Sequence, residues 1–371
     1  MATRVKNIWD KAVTLENIEA ARHTAAKGKR ARRDVQYALA HSAEVAKTIY
    51  DDLQRGDWRF TEVRKAKPIL DGIRKKSREI VEPSFREQII HHVYIDYMIM
   101  PVFMPTFYRW TCGSIPRRGQ EEMAKYILRM VSAKGAKVKW CCQLDIRKCF
   151  DTIDTRAIYA AVARHIGDKR VLEMTLAILD ANAVIHPSGL VTKRGIPIGL
   201  YTSPWFANIA LSQLDHYAKD KMAIYLYVRY IDDLLIMHGN KRELKRAIDG
   251  MSAIIGALSM EWKRAPQIRE WWKVRFTGFH LTRTALQVHD SVFIRARRAG
   301  ARTRRKAMRR RITAFDAEKL ISYSGRFRSF GGYNAFVTQV LKGGISMRAM
   351  RQKVAARSRF RNLTILEKEV A

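Results

Sequence analysis

Three carboxylates are the residues of this chain whose placement suggests chemistry. Asp232 and Asp233 stand side by side in YLYVRYIDDLLIM, Tyr225 to Met237. Ile224 to Ile231 and Leu234 to Met237 are apolar runs that read as paired strands, which puts both acids at a hairpin tip. Neither Asp favours a strand and adjacent carboxylates repel, so a divalent cation that takes oxygen ligands would relieve the arrangement. The competing explanation is a plain polar turn. A third carboxylate, Asp145, weighs against it. Val138 to Asp145 reads as the start of a strand, followed by a turn towards a helix that Asp154 or Thr155 caps, with Ala157, Ile158, Ala161 and Val162 at helical spacing. Asp145 is thus expected at a strand's carboxyl end, facing the hairpin tip. Three carboxylates from two elements can hold two magnesium ions about 3.5 to 4 Å apart, the arrangement that stabilises the attacking and leaving oxygens of an in-line phosphoryl displacement.

Three segments in order then carry a resemblance: LDIRKCFDTI from Leu144, GIPIGLYTSPWFAN from Gly195 and YIDD from Tyr230. Together they resemble the successive palm motifs of bacterial reverse transcriptases, those of group II introns and, more closely, of diversity-generating retroelements and related phage-defence enzymes. The likeness runs from about Arg78 to Phe279 and is expected to continue to the end of the chain. It implies an α+β right-hand polymerase with fingers, a palm with an antiparallel sheet, and a helical thumb. It further implies RNA-directed DNA synthesis, with Asp145, Asp232 and Asp233 as catalytic residues and Asp145, Ile146, Asp232 and Asp233 around two magnesium ions, for which manganese could substitute.

The same resemblance assigns roles around that centre. Lys76 and Arg78 alternate onto one face of a strand with Ile80, after a hairpin expected at Asp71-Gly72, and would grip the triphosphate; Arg can chelate two phosphate oxygens at once. A solvated strand edge is the ordinary alternative. Phe150 lies where a bulky ring excludes a ribose hydroxyl and so selects deoxynucleotides. Ile198, Gly199, Asn208 and Lys263 complete the nucleotide-binding set, Lys263 near the leaving pyrophosphate. Group II intron enzymes usually carry Gln where Ile198 stands; the retroelement relatives are aliphatic there but typically have Gln at the place of Pro204. The chain is a hybrid of the two, from which altered fidelity or template preference is expected. Arg117 and Arg118 precede a helix as a basic turn suited to template phosphate. Tyr230, with Phe276, Gly278 and Phe279 in VRFTGFHL, would support the primer end.

Beyond Leu286, Arg295 to Arg311 carries ten basic residues in seventeen and no acid. Arg304, Arg305 and Arg309 are the expected duplex contacts of a thumb, and Ile321 to Tyr333 resembles its helical hairpin. Lys plus Arg is 70 against 35 Asp plus Glu, a net charge of +35, for which nucleic acid is the natural partner. The expected partners are RNA template, a DNA or RNA primer and deoxynucleoside triphosphates, with a structured noncoding RNA and a small accessory protein as further candidates. No apolar stretch approaches the roughly 20 residues of a membrane span, and the first residues lack a signal peptide's apolar core, so a cytoplasmic, prokaryotic or phage-encoded protein is expected. Cys112, Cys141, Cys142 and Cys149 lack zinc-site spacing and read as small buried residues.

The expected divisions are a basic helical extension over 1–67, fingers over 68–137, palm over 138–284 and thumb over 285–371. A basic run from Lys27 to Arg33 interrupts the first as a candidate RNA contact. Phe85 opens an amphipathic helix to about Met100, ended by Pro101 and Pro105; His91 and His92 are adjacent, fall on different faces, and read as structural rather than metal-binding. Two rivals remain on sequence grounds: an RNA-copying RNA polymerase, against which Phe150 weighs, and a catalytically idle RNA-binding or maturation factor, against which the intact aspartates weigh.

Overall fold

A computed structural model describes residues 4–356 except 31, 59, 62, 72–75, 134–136 and 283–284; the tip expected at Asp71-Gly72 lies outside the described residues from position 72 onward. The chain forms two compact units, one of residues 1–119 and 142–268, the other of 120–141 and 269–371. Gln120–Ala133, expected within the fingers, is a helix of the second unit.

The first unit opens with helices Leu15–Ala26, Arg33–Ala40 and Ser42–Arg55. Ile18, Ala21, Ala25, Ala38, Ile49 and Leu53 are buried at helical spacing, whereas Ala40 is exposed at the break between the second and third helices at His41. The helical extension ends sooner than predicted. Val63–Asp71 is strand β1, so 63–67 belong to a sheet; Lys65, Lys67 and Pro68 mask its period. β1 pairs antiparallel with β2, Lys76–Val81, placing Arg78 opposite Ile69. Two further strands, Thr111–Cys112 (β3) and Trp140–Asp145 (β4), belong to the sheet that carries the acids but do not pair with each other. Ala183–Ile185 (β5) joins β1 in parallel and pairs antiparallel with Val191–Thr192 (β6). Leu226–Tyr230 (β7) and Asp233–His238 (β8) form the predicted antiparallel hairpin, with order β3-β7-β8-β4 and β3 parallel to β7.

The helix that follows β2 is buried on most of its faces, polar residues Glu87, Gln88, His91 and His92 included. Ser84 caps Phe85–Val93, accepting from the Glu87 amide at 3.2 Å, and the chain widens into a π turn over Tyr94–Ile99 before Met100–Phe103. Ile89, Ile90, Val93, Tyr94, Ile95, Met98 and Ile99 are all buried, as the central helix of a large core must be. Pro101 does not end it. It sits in the first turn of the last segment, where a missing N–H costs little. His91 and His92 do face different surroundings. His92 stacks on Tyr201 with centroids 3.8 Å apart and contacts Asp96 at 3.1 Å. His91 is fully buried beside Phe60 and Arg64 with neither ring nitrogen hydrogen-bonded, and burial, reinforced by the Arg64 charge, lowers its pKa to about 3.

In the second unit Arg275–Phe276, Phe279–Leu281 and Leu286–Val288 make a three-stranded antiparallel sheet. Helices Asp290–Met308 and Ala314–Ser329 follow, then a turn with positive φ at Gly331 and Gly332 into Tyr333–Ala335. Ala296, Ala299, Leu320, Phe327, Phe336 and Val340 form their shared core. All four cysteines are buried and none forms a disulfide, and no described helix is long and apolar enough to cross a membrane.

A neutral buried imidazole makes stability depend on acid. His91 charges at about 6.5 in the unfolded chain and near 3 in the folded one, so its contribution is intact above 6.5 and lost as pH falls towards 3. His91→Leu should therefore narrow the loss of denaturant stability on acidification by about 1.4 kcal/mol per pH unit below 6.5. Parallel pH dependences for the two proteins would contradict this.

Candidate active site

The hairpin turns through two residues, Ile231 and Asp232, because Tyr230 pairs with Asp233. Ile231 has φ +57°, the left-handed region that a tight hairpin demands at its first turn residue and that glycine usually fills. For a β-branched residue this conformation costs about 1–2 kcal/mol. Three contacts hold it. The Ile231 amide donates to the Cys112 carbonyl at 3.1 Å, Arg229 Nη1 donates to the Ile231 carbonyl at 3.1 Å, and the side chain lies over Gly113, where an added Cβ would stand 2.7 Å from Cγ1.

Arg229 itself is fully buried inside β7. Its Nε and Nη2 donate to the two oxygens of Asp215 at 2.7 and 2.6 Å, and Nη1 donates to Asn208 Oδ1 at 2.9 Å. Asp215 also accepts from Thr111 Oγ1 at 2.7 Å and Tyr227 Oη at 2.6 Å, so every member of this dry network is satisfied. Asp215 and Asn208 project from one helix, Ser203–His216, which thereby grips β7 directly below the turn.

Asp145 arrives from the other side as the last residue of β4. The Ile146 amide donates to the Asp232 carbonyl at 3.3 Å, which sets Asp145 beside the hairpin tip. Burial pushes Asp233 up to about 7, helped by the charges of Asp232 and Asp145; burial also raises Asp232, with Asp145 adding to it and Arg78 opposing it. The three acids therefore sense one another. Lys263 answers part of this charge: its amide donates to the Asp145 carbonyl at 2.8 Å and its ammonium contacts Asp145 Oδ2. Among the described residues no three His, Cys, Asp or Glu side chains stand as a metal cage.

A family model described as "Reverse transcriptase (RNA-dependent DNA polymerase)" matches residues 65–281. The chain belongs to this family. Its α+β fold is the right-hand polymerase fold, over a range slightly wider than the motifs suggested. Protein YkfC of Escherichia coli K12 is 24% identical over 147 residues, 39% of this chain and 38% of YkfC. The group II intron-encoded protein LtrA of Lactococcus lactis is 28% identical over 176 residues, 47% of this chain and 28% of LtrA. An uncharacterized 91 kDa protein in the cob intron of Schizosaccharomyces pombe is 25% identical over 179 residues, 48% of this chain and 21% of that protein. The matches thus span well under half the length of these relatives. A solved apo telomerase from Candida tropicalis aligns with TM-score 0.47 and 16% identity over 62% of this chain and 55% of that one.

Around the acids of this reverse transcriptase family member, the loop Gly195 to Gly199 is fastened at both ends. The Ile196 amide donates to the Phe150 carbonyl at 2.7 Å, and the Val81 amide donates to the Ile198 carbonyl at 2.7 Å. Gly195 and Gly199 both have positive φ, and a Cβ at either would run into the Phe150 or Val81 carbonyl, respectively. Phe150 and Ile198 are half-buried and Arg78 is exposed; Lys76 pairs opposite Asp71 by its backbone. Arg117 is exposed with φ +59°, and Arg118 donates to the Tyr108 carbonyl at 3.0 Å.

Asn208 is fully buried, its Nδ2 donating to the Gly113 carbonyl at 3.1 Å, so it braces the hairpin. Phe276 and Phe279 are buried and pack edge-to-face 6.1 Å apart, Phe279 also against Phe330, so they are core residues; Gly278, at φ +93°, makes the sharp turn between them. Arg304 folds back onto the Val340 carbonyl, leaving Arg305 and Arg309 exposed. Tyr230 is half-buried at the end of β7. Sequence reasoning passed over Arg229, Asp215 and Gly113. The signal was present: a lone charge in the apolar run LYVRY and another in the helix WFANIALSQLD need each other if both faces are buried.

Asp215→Asn should destabilise the chain by about 3–5 kcal/mol, because the Arg229 guanidinium would stay buried without its counter-charge. Asp215→Leu with Arg229→Met removes both charges and should lose much less. Denaturant midpoints of the three proteins check this, and equal losses for single and double variants would contradict it.

Proposed function

We propose that the chain is an RNA-directed DNA polymerase, and the observation that carries this reading is the convergence of Asp145 with Asp232 and Asp233 on one strained turn. Family membership supports the class of chemistry, and the net charge of +35 supports a polyanionic substrate. The donor set fits divalent cations through its chemistry, since three mutually repelling carboxylates present only hard oxygen ligands. Asp145, Asp232 and Asp233, with Ile146 beside them, are the residues that would hold two magnesium ions. Bound there, such ions supply Lewis-acid stabilisation to an in-line attack of a primer hydroxyl on a triphosphate.

The chain's own residues do the rest. Arg78, whose charge already reaches Asp232, and Lys76 would hold the triphosphate, and the Lys263 ammonium balances negative charge at Asp145. Phe150 and the Ile198-Gly199 backbone would shape the sugar and base pocket, anchored to each other through the loop between them. In the first unit Arg117 and Arg118 would meet template phosphate and Tyr230 the primer end; in the second, Arg305 and Arg309 would meet duplex phosphate. For the wider setting we propose a retroelement or phage-defence system with an RNA partner, a reading supported by the aliphatic Ile198.

Primer extension tests the core of this. On an RNA template with deoxynucleotides, Asp145→Asn, Asp232→Asn and Asp233→Asn should each lower the rate at least about 100-fold. Incorporation of ribonucleotides alone would make the chain an RNA polymerase, and no incorporation by a chain that binds RNA would make it a binding factor. Phe150→Ala should raise ribonucleotide use relative to deoxynucleotide by about 10- to 100-fold, as measured by competing the two substrates; an unchanged ratio would remove Phe150 as the sugar selector.

A further inference from the structure

The tip that joins the helices Asp290–Met308 and Ala314–Ser329 combines features the fold does not require. Met308 is 87% exposed and Phe315 66% exposed, and Arg305, Arg309, Arg310 and Arg311 are exposed around them. A single exposed Phe is ordinary. Here two large apolar side chains stand exposed at the two ends of the short connection 309–313, which itself carries three Arg residues.

That turn is also rigid. The Arg310 amide donates to the Ala307 carbonyl at 2.9 Å and the Arg311 amide to the Lys306 carbonyl at 2.8 Å, closing the first helix. Thr313 and Asp316 form a reciprocal capping box that starts the second. Lys306 Nζ donates to both oxygens of Asp316 at 2.8 Å, tying the two helix ends together and neutralising that acid. Phe315 is therefore presented on a fixed platform, with Lys319 Nζ 5.9 Å from its ring centroid. Little ordering remains to be done when something lands on it.

We propose that this tip is a stacking site for an unpaired nucleotide of a structured RNA, with Phe315 under the base and the surrounding guanidinium groups on the flanking phosphates. A paired duplex could satisfy the Arg residues but offers no open base face to the ring. Loop nucleotides offer both, and RNA loops are read by aromatic stacking of splayed bases. An anionic lipid surface would also accept cations beside apolar groups; the proposal's choice of RNA rests on the polymerase reading, and the test keeps the two apart. The site differs from the duplex contacts expected of the thumb in needing the ring as well as the charges.

Binding is measured with the full chain and no nucleotides, so the result does not depend on whether the chain polymerises. The probes are an RNA hairpin with an unpaired loop, its fully paired counterpart, a DNA hairpin of the same sequence, and anionic phospholipid vesicles, each over a salt series. Phe315→Ala should weaken the looped RNA by about 5- to 100-fold and leave the salt slope and the paired RNA unchanged. Phe315→Trp should retain affinity, with its fluorescence quenched by the loop. Arg309→Ala should instead lower the salt slope by about 0.7 to 0.9 on looped and paired RNA alike. Unchanged loop binding by Phe315→Ala, an equal loss on paired RNA, a stronger loss on the DNA hairpin, or a loss seen on vesicles and not on RNA would each overturn the proposal.

Discussion

Below the turn that presents Asp232 and Asp233, the ion pair of Arg229 and Asp215 is buried without access to water. Such a pair does little for net stability, because the attraction between the charges roughly offsets their desolvation. Its effect is on shape. The guanidinium fork is planar, so five hydrogen bonds from it, to Asp215, Asn208 and the Ile231 carbonyl, fix where the strand ends and which way the carbonyl before Asp232 points. Ile231 alone would relax out of its left-handed conformation. With Arg229 pulling its carbonyl, Cys112 taking its amide and Gly113 leaving room for its side chain, the turn has one arrangement.

From that anchored turn the site extends by backbone contacts rather than side-chain ones. Ile146 binds the Asp232 carbonyl, Lys263 binds the Asp145 carbonyl, and the loop through Gly195 and Gly199 joins the Phe150 carbonyl to the end of β2. Main-chain bonds of this kind tolerate exchange of the side chains they carry. They do not tolerate a Cβ at the two glycines, where neighbouring carbonyls already occupy the space.

The hairpin, the strand end at Asp145, the Asp154 cap and the buried cysteines were legible because each is local: a period of two, a turn, a capping side chain. What was not legible is what distance in sequence hides. Arg229 meets Asp215 across a strand and a helix, and nothing in either segment alone names the partner. β1 was read as helix at its start because Lys65 and Lys67 break the apolar alternation and its parallel neighbour β5 contributes only three residues. Phe276 and Phe279 are expected at the primer end on family likeness, whereas in the fold the two rings pack on each other and Phe279 also packs on Phe330. Arg304 was grouped with its neighbours by charge; its long stem let it turn inward to a carbonyl.

The border between the two compact units falls inside a single strand, between Cys141 and Cys142, only a few positions ahead of Asp145. Gene dissection meets an obstacle there. A fragment that keeps residues 142–268 starts mid-strand, and one that removes 120–141 must join residue 119 to residue 142 to keep the first unit whole. Shuffling or domain exchange among family members is consequently confined to recombination points that leave Trp140 to Asp145 unbroken, which couples the inheritance of the two units although each has its own core.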